Sequence, residues 1–218
     1  MVIRDNVTIS FHEVMNVQFQ FPCETTVQKY ASEGTSFDFP KMKRCRNPRC
    51  LIHTPPRKHG FYWRFILNHE GVFRIAIRRY YCPYCGVTFS FLPSFCFSYY
   101  QYSSDLISEI LVTRFISERS YNDTLKAVQQ SYPDLDLGLS HVKLYTKRFS
   151  INLPWIEVVL RDTSNCTLPP AELGHQKRAR KVLDAVLAGC ENIQHLAKVF
   201  LEQCHRSFLS PRSNTMVG

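Results

Sequence analysis

The sequence is poor in the features that mark several large classes of protein. It has no run of the roughly 20 apolar residues that a membrane-spanning helix needs; the longest candidate, residues 87–100, is interrupted by Pro93 and by serines. The opening stretch, residues 1–13, carries Arg4, Asp5 and Glu13 and no apolar core or small-residue cleavage site. That predicts a chain without a secretory signal, cytoplasmic and with no membrane partner. No Gly-rich phosphate loop, nucleophile elbow or zinc-protease motif is present. Acidic side chains are scarce, 18 Asp and Glu against 27 Lys and Arg, for a formal net charge of +9. The nine cysteines are an odd number, which argues against a disulfide scaffold and for reduced thiols, some of them binding metal.

What is present is enough for a core: 218 residues, 44% hydrophobic and 13% aromatic, consistent with one or two domains. The charge is concentrated. Residues 41–86 hold eleven cations (Lys41, Lys43, Arg44, Arg46, Arg49, Arg57, Lys58, Arg64, Arg74, Arg78 and Arg79) and one acid, Glu70. A basic focus of that density is the footprint expected for a phosphate backbone.

The hydropathy pattern predicts an α+β protein. Residues 1–40 alternate weakly at Val7 to Ile9 and Val17 to Phe21, which suggests a strand or two and a loop. Between Gly60 and Tyr81 the period is two, the mark of a half-buried hairpin. If its apolar faces are to meet, Leu67 opposes Phe73, Phe65 opposes Ile75 and Trp63 opposes Ile77. That leaves His69, Glu70 and Gly71 as a three-residue loop. Beyond Pro93 the period becomes helical. Ser104 is an N-cap for a helix ending near Arg119, Ser120 caps a second that Pro133 closes, and Ser140 caps a third with Val142, Tyr145 and Phe149 as its apolar stripe. Pro154 starts a further helix to Arg161, residues 163–175 read as a linker, and two amphipathic helices hinged at Gly189 fill residues 176–210. The units expected are thus residues 1–40, 41–98, 99–162 and 176–210.

Cys45-x4-Cys50 and Cys82-x2-Cys85 flank the hairpin, the wiring of a zinc ribbon in which two knuckles give four thiolates to one structural Zn²⁺ per chain. Pro83 presets the second turn and Gly86 lets the chain reverse. His53, His59 and Cys96 are alternative ligands for the first knuckle, whereas Cys23, Cys166, Cys190 and Cys204 lack partners at ligand spacing. Arg44, Arg46 and Arg49, interleaved with the first knuckle, are expected either to balance the charge of a dianionic zinc–thiolate centre or to contact DNA. Arg57, Lys58, Arg64, Arg74, Arg78 and Arg79 alternate along the strands and are expected to present cations on one sheet surface. The helical segment suggests a helix-turn-helix, with His141, Lys143, Lys147 and Arg148 on the outer face of its reading helix.

His59-Gly60-x-Tyr62-x-Arg64, then Arg79, Cys82-x2-Cys85-Gly86-x-Thr88 and Leu92-Pro93, resembles the zinc-ribbon segment at the front of bacterial insertion-sequence transposases and of uncharacterised relatives linked to mobile elements. The resemblance spans about residues 41–150. It implies that Cys45, Cys50, Cys82 and Cys85 are the ligands, that a helix-turn-helix follows the ribbon, and that the helix from Ser140 reads duplex DNA. The nuclease half of such transposases has no counterpart, because only 53 residues follow Asn165 and they read as helices. Asp162, Asp184, Glu191 and Glu202 are helix-surface charges in this reading.

The expectation is therefore a non-enzymatic, zinc-stabilised protein that binds double-stranded DNA, a regulator or accessory factor of mobile-element origin associated with the nucleoid. The C-terminal helices are left for a homodimer or partner-protein contact. Two other functions compete: the DNA-binding subunit of a transposase or nuclease with a catalytic partner, and a protein adaptor or RNA-binding module.

Overall fold

The computed structural model describes residues 16–163, 174–189, 192–204 and 207–211. Four strands, β1 (Asn16–Phe21), β2 (Arg57–Asn68), β3 (Gly71–Tyr81) and β4 (Thr88–Pro93), form one sheet in the order β1-β4-β3-β2. β2, β3 and β4 are antiparallel neighbours, and β1 lies parallel to β4 with Phe19 opposite Phe91. The N-terminal segment is therefore an edge of the ribbon sheet and not a unit apart from it. Val7 to Ile9 lie outside the described residues.

The hairpin forms, in a different register from the one expected. Asn68 pairs with Gly71, Phe65 with Arg74, Trp63 with Ala76 and Tyr62 with Ile77. His69 and Glu70 alone make the turn, which the Asn68 side chain fixes by accepting the Glu70 amide at 2.9 Å. A shift of one residue exchanges the faces of a strand. The assumption that aromatic and aliphatic faces must meet fails because guanidinium groups can share a face with rings. Arg74 lies over Trp63 at 4.6 Å and Arg78 over Phe61 at 4.5 Å. Ile66, Ile75 and Ile77, on the opposite face, are fully buried instead.

One element was hidden in the polar stretch of the N-terminal segment. α1 (Val27–Glu33) starts at Thr26, whose hydroxyl accepts from the Lys29 amide, and stops at Gly34 with φ 52°. Its Tyr30 is fully buried and donates its hydroxyl to the Ala76 carbonyl at 2.9 Å. β4 pairs with β3 only from Arg78 to Tyr81, so this hydroxyl satisfies a carbonyl on the stretch that β4 leaves uncovered.

A second core is helical. α2 (Ser104–Phe115) and α3 (Tyr121–Ser131) are capped by Ser103 and Ser120, the first one residue earlier than expected. α4 (Leu139–Thr163) is a single helix of 25 residues that absorbs both of the helices expected on either side of Pro154. Ser140 lies inside it and is not its cap. Gly138 stands at the N-cap position, and His141, at the third helical position, reaches back to it: its Nδ1 accepts the Gly138 amide at 3.2 Å. α5 (His175–Gly189) and α6 (Ile193–Cys204) bury Val182, Leu183, Val186, Leu196 and Phe200 in the same cluster as Ile110, Tyr145 and Phe149. Their apolar stripes are thus packed against the chain's own helices. Glu157 on α4 and Arg178 on α5 form an ion pair at 2.5 Å, with the glutamate buried. Residues 164–173, most of the expected linker, lie outside the described residues. Phe208 to Ser210, assigned to the last helix, lie beyond the end of α6 and are buried, and the Ser210 carbonyl accepts from Asn152 at 2.9 Å.

Candidate metal centre and basic surface

The two knuckles converge at the base of the hairpin. In the first, the Cys50 amide donates to the Asn47 carbonyl at 2.9 Å and the Asn47 side chain accepts from the Arg49 amide at 3.1 Å. This Asx turn carries the chain around Pro48 across the longer Cys45–Cys50 interval. In the second, the Gly86 amide donates to the Cys82 carbonyl at 2.9 Å while Gly86 takes φ 71°, a value that favours glycine. The Cys82 amide in turn donates to Val87.

The result is a cluster of four sulfur atoms, Cys45, Cys50, Cys82 and Cys85, all within 4.8 Å of one another. Cys45 and Cys85 are 3.7 Å apart, and Cys50 and Cys82 are 3.9 Å apart. Sulfurs at the corners of a tetrahedron with metal–sulfur bonds of about 2.3 Å are separated by about 3.8 Å. The donor set therefore fits a closed structural metal site. Its thiols are tuned unevenly without a cation: burial raises Cys45 and Cys82, whereas the backbone amides of His53 and then Ile52 bring Cys50 down to about 7. A bound cation would hold all four as thiolates.

The alternative first-knuckle ligands stand elsewhere. His53 places Nδ1 2.9 Å from the Cys45 carbonyl and not against the sulfurs. His59 packs on Tyr81 with ring centroids 5.5 Å apart. Cys96 is fully buried among apolar side chains, where desolvation pushes its thiol up to about 12. Cys23 is half-buried beside the sheet core, Cys204 packs against the helical core, and Cys166 and Cys190 lie outside the described residues.

The cations do not share one sheet surface as expected. Neighbouring residues in a strand point to opposite faces, so Arg78 and Arg79 separate, as do Arg57 and Lys58. Arg64 is further removed from solvent: its guanidinium donates to the carbonyls of Phe97, at 3.3 Å, and Tyr100. It ties β2 to the loop before α2, a structural duty that sequence alternation cannot reveal. Arg46 reaches Glu202 at 3.7 Å and covers the Phe19 ring, and Arg44 and Arg49 are exposed beside the first knuckle. Among the described residues, Arg46 is the one cation of the 41–86 run that forms an ion pair.

On α4, Lys143 and Lys147 are exposed and Arg148 is half-buried. His141 is held by its contact with Gly138 and by the Tyr102 ring at 5.1 Å, so it does not project from the helix as a free reader. Seven residues, 132–138, separate α3 from α4, more than the three or four of a compact helix-turn-helix.

Sequence reasoning missed the outward face of the hairpin. Trp63 and Phe65, assigned to the core, are 44% and 50% exposed, with Val72 at 60% beside them. The signal lay in the arginines: a strand whose alternate residues are rings, opposite one whose alternate residues are arginines, is satisfied by cation–π contact as well as by burial.

No helix among the described residues is long and apolar enough to cross a membrane. No curated protein and no solved structure matches the chain. Residues 47–129, from the first knuckle through the hairpin to α3, are similar to the family described as domain of unknown function DUF6431.

Proposed function

We propose that the chain is a non-enzymatic, zinc-stabilised DNA-binding protein, a regulator or accessory factor of mobile-element origin, whose ribbon grips the phosphates of a duplex. The observation that carries this reading is the run of cations at residues 41–86, which is solvent-facing over most of its length and has one acidic partner, Glu202, among the described residues. Uncompensated positive charge on a rigid scaffold costs self-repulsion unless a polyanion relieves it. Release of the counterions of DNA then supplies affinity. Four cysteines at tetrahedral spacing favour Zn²⁺ as the resident ion, since thiolate tetrahedra suit zinc and a redox-inert ion needs no further cofactor. Lys143 and Lys147, exposed on the first turns of α4, would add contacts from the helical side.

A gel shift against total genomic DNA, repeated with RNA competitor and with magnesium or manganese, tests the proposal. Retention of duplex without cleavage supports it. Cleavage with a divalent cation would replace it with a nuclease or transposase subunit, and displacement by RNA at lower concentration than by DNA would replace it with an RNA-binding module. Metal analysis of protein purified without chelator should give one zinc per chain.

A further inference from the structure

Near its turn, the outward face of the hairpin exposes aromatic rings and guanidinium groups side by side. Phe61, Trp63 and Phe65 follow one another on alternate positions of β2, and Arg74 and Arg78 stand on the same face of β3. Arg74 lies over Trp63, and Arg78 lies over Phe61 and, at 5.7 Å, over Tyr80. Trp63 is also braced from the side by the end of α1: a Cβ added to Gly34 would lie 3.8 Å from its Cη2. The ring is thus held in place yet left 44% open, and Phe65, opposite Arg74, is 50% open.

We infer that this face is a stacking platform for the unpaired bases of single-stranded DNA. The inference rests on the nucleic-acid part of the function proposed above and names a second kind of segment that the ribbon takes. A purely apolar patch would suit a protein partner, but here guanidinium groups lie between and over the rings, so an occupant must offer flat π faces and negative charge in alternation. Single-stranded nucleic acid does so, with bases for Trp63 and Phe65 and phosphates for Arg74 and Arg78. A duplex cannot, because its base faces are hidden in the stack. Residues two apart on a strand are separated by about 6.8 Å, twice the 3.4 Å rise of stacked bases on one strand. Neighbouring bases reach both rings only when they are unstacked from each other.

The test measures fluorescence anisotropy of three labelled probes with the full zinc-loaded chain: a blunt duplex, the same duplex with a single-stranded oligothymidylate overhang, and the overhang strand alone, with an oligouridylate of equal length as the RNA arm. The overhang duplex should bind more tightly than the blunt one. Trp63→Ala and Phe65→Ala should each weaken the overhang probe about tenfold, the scale of one lost base–aromatic stack, while leaving the blunt duplex unchanged. Trp63→Phe should retain most of the affinity, and unchanged zinc content in each variant confirms that the ribbon is folded. In a Trp155→Phe background, Trp63 emission should be quenched by the single strand and not by the blunt duplex.

Equal affinity for blunt and overhang probes, insensitive to both alanine variants, overturns the inference and leaves the duplex function standing. Absence of binding to any probe overturns both. Binding of the single strand alone, lost in Trp63→Ala, upholds the inference and overturns the duplex reading. Preference for oligouridylate transfers the platform to RNA and overturns its assignment to DNA. Self-association abolished by Trp63→Ala, without an effect on any probe, assigns the face to a second copy of the chain and also overturns it.

Discussion

Single arginines in this protein divide by where their guanidinium points, and substitution should separate them. Arg64 donates to two carbonyls of the loop before α2, and hydrogen bonds from a charged donor contribute about 1.5–3 kcal/mol when buried partners are otherwise left unsatisfied. Arg64→Ala should therefore lower stability by about 2 kcal/mol in urea unfolding and leave the salt dependence of DNA binding unchanged. Arg74 has no such duty. Arg74→Ala should cost no more than about 1 kcal/mol, the lost cation–π contact with Trp63, but flatten the slope of log K against log salt for the single-strand overhang by about 0.7, one phosphate contact. The four metal-site cysteines form the other class of single residues whose role is decided by geometry. Cys82→Ser or Cys85→Ser should abolish stoichiometric metal and unfold the ribbon, because a structural zinc contributes on the order of 10 kcal/mol to small modules. Cys96, with its thiol at about 12, should resist alkylation at pH 8 in the native protein while chelation exposes the others. The convergence of Cys45, Cys50, Cys82 and Cys85 was legible from spacing, with His53, His59 and Cys96 left open as alternatives at the first knuckle, since a knuckle is a local chain property. The duty of Arg64 was not, because its acceptors lie more than thirty residues away and are main-chain atoms.

At the scale of elements, local chemistry was informative and global register was not. Ser120 gave the start of α3, and the structure adds Asp123: the Ser120 hydroxyl donates to the Asp123 carboxylate at 2.6 Å and accepts the Asp123 amide. The hairpin was legible as a hairpin, but its pairing turned on whether Phe65 prefers Ile75 or Arg74, a choice that cation–π contact and exposure settle and that hydrophobicity alone gets wrong. Likewise Pro154 was taken as a boundary because proline removes an amide donor, yet α4 continues through it under the constraint of core residues on either side: Phe149, Leu153, Ile156 and Leu160. The exposed proline is a local cost held in place by packing. Pro154→Ala should accordingly raise stability, by up to about 3 kcal/mol, read as a higher thermal midpoint with unchanged helical content. A lower midpoint would show that the ring itself makes a needed contact.

The whole molecule has two cores, one under the sheet and one among the helices, joined where Leu67 exchanges backbone hydrogen bonds with Gln101 and Ser103. The C-terminal helices belong to the second core, so their removal is not the removal of an appendage. A chain ending at Thr163 should lose cooperative unfolding of α2–α4, with exposed Leu111 and Phe149 surfaces driving aggregation, while its ribbon still binds one metal. Retention of a sharp helical transition would show that α2–α4 stand alone. Amphipathic periodicity identified α5 and α6 without revealing their destination, because a stripe of apolar residues is the same whether it meets a neighbour in its own chain or in another.

The parallel pairing of β1 with β4 also bears on synthesis. Phe21 leaves the ribosome about seventy residues ahead of its partner Pro93, an interval of several seconds at ordinary translation rates. Throughout that time Val17, Phe19 and Phe21 have no strand partner, because β4, the one strand β1 pairs with, is still to be made. A strand made well before its partner is thus among the last to become native, and until then it offers a nascent-chain chaperone an apolar segment to hold.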